Sequence, residues 1–485
     1  MAFSFKPSQR RKTIAQVVIL SCASILLIIH LLSPIRVYPR QARQQNNARK
    51  AQVVVTRSYA EPRSDVWLSV LQALSKARHL QTFILDDDSS PLPLPLDPDS
   101  PITTGRDASL ENLAKALEWK QAPHINKINL TSSTDAIVET LGTKIDVIMT
   151  TSCASDLLER PMFYHQLLER TTAILFCMVD DVEPFISTKS GLTPTLQSWA
   201  DELRLQFITL SDDVAHILRH EWAAKAPLVT ARVFPPIYDI PNVTFPYDET
   251  RLNHDNASIA IMQEQETIST LSASSLGLND AMNRFVAARS LARKNKARTG
   301  NALILGKSEI LDTIQNPVGL LDKNLEKVSS RDAITTIRAI TSSTSIVVVA
   351  NDYNAGKTAR GSASSSIVPL AIIAGVPPIV DEETFASHSY LDQDAAIVFT
   401  SDNIKHLQEK VTADTTAAAA GNTMTERMDM IKAFDYLAIP DFQQARKRRA
   451  VETLRTTLLV QNTHKLQAWI LQDTRRAAVS FKVQL

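Results

Sequence analysis

Lys357 and Arg360 stand just ahead of a hydroxyl-rich turn, Gly361-Ser362-Ala363-Ser364-Ser365-Ser366, in this chain of 485 residues. A turn of that composition running into a helix offers hydroxyls, N–H groups without intrahelical partners and the positive end of a helix dipole. With two cations beside it, it suits a phosphate or diphosphate. A plain strand-to-helix turn capped by serines has the same composition. Glycine placement adds weight to the special turn. The chain has only 11 glycines, and Gly356, Gly361 and Gly375 all fall between positions 356 and 375, which marks backbone in need of close approach or unusual dihedrals.

The elements that must position the turn are legible on both sides. Residues 345–350 (SIVVVA) read as a buried strand leading in. Downstream, Pro369 is tolerated in a helix's first turn, where its missing N–H does no harm. Gly375 stands where a helix C-terminus takes a left-handed residue, and Pro377 with Pro378 forbids continuation before a new strand begins.

The stretch 369–380, PLAIIAGVPPIV, resembles the second half of the motif E-G-F-G-L-x-x-L-E-A-M-A-x-G-x-P-V-V of GT-B glycosyltransferases of the group 1 family. The resemblance implies an α/β protein with two Rossmann-like parallel-sheet domains. It implies transfer of a sugar from a nucleotide-sugar donor to a glycan, protein or lipid acceptor, with no cofactor and no essential metal. Lys357, Arg360, Gly361, Ser362, Ser364, Ser365 and Ser366 then become the candidate donor diphosphate site, and Asp352 or Glu382 the carboxylate for the nucleotide. No catalytic residue is identified. Three features of the family's pattern are missing. Its two motif glutamates fall on Ser362 and Leu370, and Val179 occupies the place of a strand-end histidine. Residues 263–275 contain no Arg or Lys where the family has a Gly-Arg…Lys pair. A second reading follows: a catalytically inactive, membrane-anchored binding or scaffold protein on the same fold.

Composition and charge narrow the setting. A hydrophobic content of 44% with 21% charged residues describes a globular chain long enough for two cores. Residues 1–60 hold ten Lys/Arg and no acid, whereas the rest carry 42 basic and 51 acidic residues. An acidic body offers no basic face to nucleic acid. Residues 14–32 are nineteen positions without Asp, Glu, Lys or Arg, about 28 Å as a helix and close to a bilayer core of ~30 Å. Lys6, Arg10, Arg11 and Lys12 precede this run, as for a cytoplasmic tail. The pattern predicts a single-pass type II signal anchor with the body in the lumen of the endoplasmic reticulum or Golgi. The acid-free, arginine-bearing start is also the mark of a mitochondrial presequence. Sequons at Asn129, Asn242 and Asn256 favour the lumen. Cys153 and Cys177 fit either a disulfide there or two buried thiols.

Read in order, the chain divides into a tail (1–13), an anchor (14–33), a short basic stem (34–51), a first Rossmann-like domain (52–240), a polar linker (241–257), a second such domain (258–440) and C-terminal helices (441–485) that pack back on the first domain through Leu466, Trp469 and Ile470. Expected strands are 52–56, 82–85, 145–150, 172–179, 207–210, 258–262, 302–305, 345–350 and 397–400. Helices are expected at 65–77, 110–119, 214–222, 279–297, 331–340, 403–411, 424–436 and 441–473. Three further groups have chemistry-bearing spacing. Asp86-Asp87-Asp88 at a strand end resembles the metal-holding D-x-D of GT-A enzymes, or simply ends a strand. His216 and His220 share a helix face but lack a third ligand. Ser211-Asp212-Asp213 opens a helix by capping. Arg446-Lys447-Arg448-Arg449 is expected to be a solvated helix face.

Overall fold

The computed structural model describes residues 49–56, 64–86, 125–129, 134–187, 190–240, 258–263, 283, 285–286, 288–289, 301–306, 325–329, 337, 340–341, 346–350, 367–399, 428–439 and 441–484. In chain order the first half contains β1 (Ala51–Thr56), α1 (Ser64–Ser75), β2 (Leu80–Asp86), β3 (Ile125–Asn129), α2 (Thr134–Leu141), β4 (Val147–Thr150), α3 (Cys153–Glu159) and α4 (Pro161–Arg170). It continues with β5 (Ile174–Val179), α5 (Glu183–Ile186), α6 (Leu192–Asp201), β6 (Leu205–Thr209), α7 (Asp212–Ala223) and β7 (Ala231–Val233). The second half holds β8 (Ser258–Gln263), β9 (Asn301–Gly306), β10 (Leu325–Ser329), β11 (Ile346–Ala350), α8 (Ile367–Ile373), β12 (Pro378–Asp381), α9 (Glu382–Ser387), β13 (Ile397–Phe399), α10 (Met428–Ala438) and α11 (Asp441–Gln484).

Each half builds one parallel sheet, ordered β3-β2-β1-β4-β5-β6-β7 and β10-β9-β8-β11-β12-β13. Both orders run outward, return to the first strand and continue on its other side, the Rossmann pattern. The central strands are apolar on both faces because helices cover both. Val53 and Val55 join a core shared with α1, while Val54 joins Leu175, Phe207 and α3 to α7 on the opposite face. In the second sheet Ala260 and Val347 face α8, while Ile259, Ile346 and Ile379 face α10.

Helix α11 ties the halves together. From Val451 onward its buried positions, Val451, Arg455, Leu458, Asn462, Leu466, Ile470 and Asp473, recur every three or four residues along one seam. Leu458, Leu466 and Ile470 share a core with strands of both sheets. The polar ones each find a partner. Arg455 lies 3.7 Å from Asp239 and donates to the Ile373 carbonyl (3.4 Å), Asn462 donates to the Pro235 carbonyl (2.7 Å), and Asp473 binds Arg232 at 2.6 and 2.9 Å. Leu466 and Ile470 belong to that shared core, with Trp469 partly buried and the Arg232 guanidinium over its ring. Two Rossmann-ordered sheets with a last helix returning to the first form a GT-B-like arrangement.

The basic run needs a correction. Arg446 and Arg449 are exposed, but Lys447 is half-buried and donates to the carbonyls of Gln393, Asp394 and Ala396. Burial lowers its ammonium pKa accordingly. A second buried cation, Arg204, closes the end of α4 by donating to the carbonyls of Leu168, Thr171 and Ala173, and burial pushes its pKa down to about 10.

Among the described residues no helix is long and apolar enough to cross a membrane. The expected anchor at 14–33, and the expected helices at 110–119 and 403–411, lie outside them. Cys153 and Cys177 form a disulfide between α3 and β5.

Gly375 ends α8 as its sequence context predicts. Its φ is 69°, its N–H bonds to the Ile372 carbonyl, and the Val376 N–H bonds to that of Ala371, which together make a Schellman closure. Gly375→Val places a β-branched residue at positive φ, and a loss of at least ~1 kcal/mol is expected. Thermal denaturation checks it; an unchanged melting temperature would mean that the left-handed turn is not required.

Candidate functional site

In sheets of this order ligands sit beyond the carboxyl ends of the strands, where the strand order reverses. That point falls between β8 and β11 in the second sheet and between β1 and β4 in the first.

At the second sheet's reversal point, β11 ends at Ala350 and α8 begins at Ile367. The candidate turn is the connection between them. Asp352, Lys357, Arg360, Gly361, Ser362, Ser364, Ser365 and Ser366 lie outside the described residues, as do the sequons at Asn242 and Asn256. The helix that the turn enters is firmly seated, with Ile367, Val368, Ala371, Ile372 and Ile373 all buried. Leu370 is partly buried against the same core, so this position, where the family has a glutamate, makes an apolar contact. Glu382 is the exposed first residue of α9, directly after β12, the strand that neighbours β11. It therefore stands on the same rim as the C-terminal end of β11. Asp381 before it caps α9 by accepting the Thr384 N–H at 2.7 Å.

The first sheet's reversal point holds a buried polar cluster that the sequence did not announce. Asp156 of α3 is completely buried. Its Oδ2 accepts from the hydroxyls of Thr56 at the end of β1 (2.8 Å) and of Thr150 at the end of β4, with the Tyr164 hydroxyl 3.3 Å away. Its Oδ1 lies 3.5 Å from the Arg160 guanidinium. Burial raises the Asp156 carboxyl pKa, while the Thr150 and Thr56 hydroxyls and Arg160 pull it back. The same burial lifts the Tyr164 phenol well above its ordinary value. The cluster clamps together the two strand ends that flank the crevice. No motif signals it, because it is assembled from single residues on four elements.

The other predicted groups fall as follows. Val179, in the family's histidine position, is a buried core residue of β5. Ser211 occupies the N-cap position of α7, but its side chain does not close the cap, which corrects the capping expectation. His216 and His220 are exposed on α7, and His220 lies 3.5 Å from Glu221. Asp86 closes β2, and Asn129 closes β3 at the sheet edge. Among the described residues no group of His, Cys, Asp or Glu could hold a metal ion.

The fold is similar to that of solved structures. The N-terminal domain of Candida albicans trehalose-6-phosphate phosphatase superposes with a TM-score of 0.50 at 11% identity, over 87% of this chain and 97% of that one. An E. coli trehalose-6-phosphate structure bound with UDP-2-fluoro glucose reaches 0.49 at 11% identity, over 87% and 99%. The α,α-trehalose 6-phosphate synthase of Burkholderia multivorans gives 0.49 at 10%, over 89% and 99%. At such identities the likeness is one of fold. No protein-family model and no curated protein sequence matches this chain.

Proposed function

We propose that this protein is a GT-B-type glycosyltransferase, anchored by residues 14–33 with its body in the lumen of the endoplasmic reticulum or Golgi, that moves a sugar from a nucleotide-sugar donor to a glycan, protein or lipid acceptor. The observation that carries the reading is topological. The connection from β11 to α8, at the reversal point of the second Rossmann sheet, is the stretch that holds two cations and four serines. A departing nucleoside diphosphate needs positive groups aimed at the charge that develops on it. Lys357 and Arg360 supply them, and Ser364, Ser365 and Ser366 add hydroxyl and N–H donors. Asp352 or Glu382 takes the place of the absent ribose-binding glutamate. No metal is required in this scheme. The disulfide and the sequons support an oxidising lumen.

One observation favours the second reading, a binding or scaffold protein without transferase activity: Leu370 packs into the core where the family presents a carboxylate. The two readings separate on turnover. The full chain in detergent, incubated with UDP-, GDP- and ADP-sugars and candidate acceptors, is expected to release nucleoside diphosphate from one donor above the rate of a no-enzyme blank. A donor that binds yet yields no diphosphate with any acceptor would favour the scaffold.

A further inference from the structure

The rim of the first sheet opposite the crevice, where the strands begin, is built by residues 76–79 before β2, 142–146 before β4, 171–173 before β5, 202–204 before β6 and 224–230 before β7. β1 starts on the same rim, where the Ala51 N–H bonds to the His79 carbonyl at 3.1 Å. Since β1 stands between β2 and β4, the chain enters the body between the connections 76–79 and 142–146. Those connections carry charge of one sign. Lys76, Arg78, Lys144 and Lys225 are exposed against one exposed acid, Glu202. Asp146 is partly buried and accepts the Gln52 N–H at 2.7 Å, and Arg204 is buried on backbone carbonyls. In the helical turns that lead in, Arg170 pairs with Asp135, Glu169 with His165, and Asp201 accepts from Gln197. The negative ends of these helices draw cations to the rim, but they do not explain its apolar tips. Leu228 is 62% exposed before β7, and Leu203 is 47% exposed before the neighbouring strand β6. Leu203 also has a φ of 58°, at the left-handed position after α6 where glycine is usual. An exposed leucine kept in a conformation that penalises it points to a surface role.

We propose that this rim rests on the lumenal phospholipid surface, with Leu203 and Leu228 entering the headgroup layer and Lys76, Arg78, Lys144 and Lys225 meeting acidic headgroups. The inference rests on the anchored, lumenal reading given above. Residues 34–50, seventeen positions, join the proposed anchor to β1, and a linker of that length reaches at most about 60 Å. The rim on which β1 starts is therefore the part of the body tethered nearest the bilayer. Docked this way, the carboxyl rim turns away from the lipid, and its crevice is open to a glycan or protein acceptor.

The test uses the full chain, reconstituted through its anchor into vesicles of phosphatidylcholine and phosphatidylserine that carry a headgroup-attached quencher. On a Cys22→Ser background with Cys153 and Cys177 bonded, a fluorophore is attached at Leu228→Cys or at Glu183→Cys. Glu183 is exposed and opens α5 just after β5, on the opposite rim. Strong quenching is expected for the Leu228→Cys label and little for the Glu183→Cys label. Lys76→Ala with Arg78→Ala is expected to lower the docked-to-free ratio about fivefold for each cation removed, and vesicles of phosphatidylcholine alone are expected to lower it too. Retention of the chain through an alkaline carbonate wash tests the anchor separately. A retained chain whose two labels are quenched alike, or whose quenching is indifferent to phosphatidylserine and to the paired substitution, overturns the proposal and leaves the anchored reading standing. A chain that carbonate extracts contradicts the anchored reading and takes the proposal with it.

Discussion

Asp473→Ala is expected to lower stability by about 3–5 kcal/mol, the usual cost of removing one partner from a buried ion pair. Asp473 is 2% exposed and receives both nitrogens of the Arg232 fork, and Arg232 itself is 15% exposed. Without the carboxylate, the guanidinium keeps its stacking on Trp469 but loses the two acceptors that Asp473 provides. Arg476, 3.8 Å from the same carboxylate, is largely exposed and returns to water at little cost. Replacing both partners by apolar residues, Arg232→Met with Asp473→Leu, is expected to recover most of the loss, because no charge is then stranded. Urea denaturation of the three proteins checks this. A loss below ~1 kcal/mol for Asp473→Ala would show that α11 does not dock on β7.

Breaking the Cys153–Cys177 bond is expected to be nearly as costly. The link closes a loop with a sequence separation of 24, and the chain-entropy estimate for such a loop is about 3–4 kcal/mol. Both sulfurs are buried, Cys153 at the start of α3 and Cys177 within β5. The staple thus fixes α3, the helix whose Asp156 gathers Thr56 and Thr150, against the middle of the sheet. Cys153→Ser with Cys177→Ser should melt well below the wild type. Thiol titration of denatured, unreduced protein should find only Cys22. Three titratable thiols would remove both the bond and its support for an oxidising compartment.

The central strands were readable because parallel strands covered on both faces are continuous runs of branched apolar residues, as at Val53-Val54-Val55 and Val347-Val348-Val349. β3 (INKIN) and β10 (LEKVS) were not, and the reason is their place at the sheet edges, where charged side chains are tolerated and the apolar run is diluted. Helix α11 runs eleven residues past its expected end at 473. Helices α3 and α4 were not read either, since the polar Asp156 and Tyr164 find partners only once the strand-end hydroxyls of Thr56 and Thr150 are in place. At the candidate site, Pro369 and Gly375 located α8 correctly, since local backbone rules act there without tertiary help. The position of Glu382 on the rim depended on which strands are neighbours, which no local pattern encodes.

The central claim is that the turn between β11 and α8 binds a nucleotide-sugar diphosphate, and thermal shift of the full chain with UDP-, GDP- and ADP-sugars tests it most directly. One donor at millimolar concentration is expected to raise the melting temperature of the wild type. Arg360→Ala is expected to abolish that rise while leaving the unliganded melting temperature nearly unchanged. One lost charge-assisted hydrogen bond, worth about 1.5–3 kcal/mol, weakens binding roughly ten- to more than a hundredfold. If no donor stabilises the wild type, or if Arg360→Ala is stabilised as much as the wild type, the turn is not the donor site and the glycosyltransferase reading is contradicted.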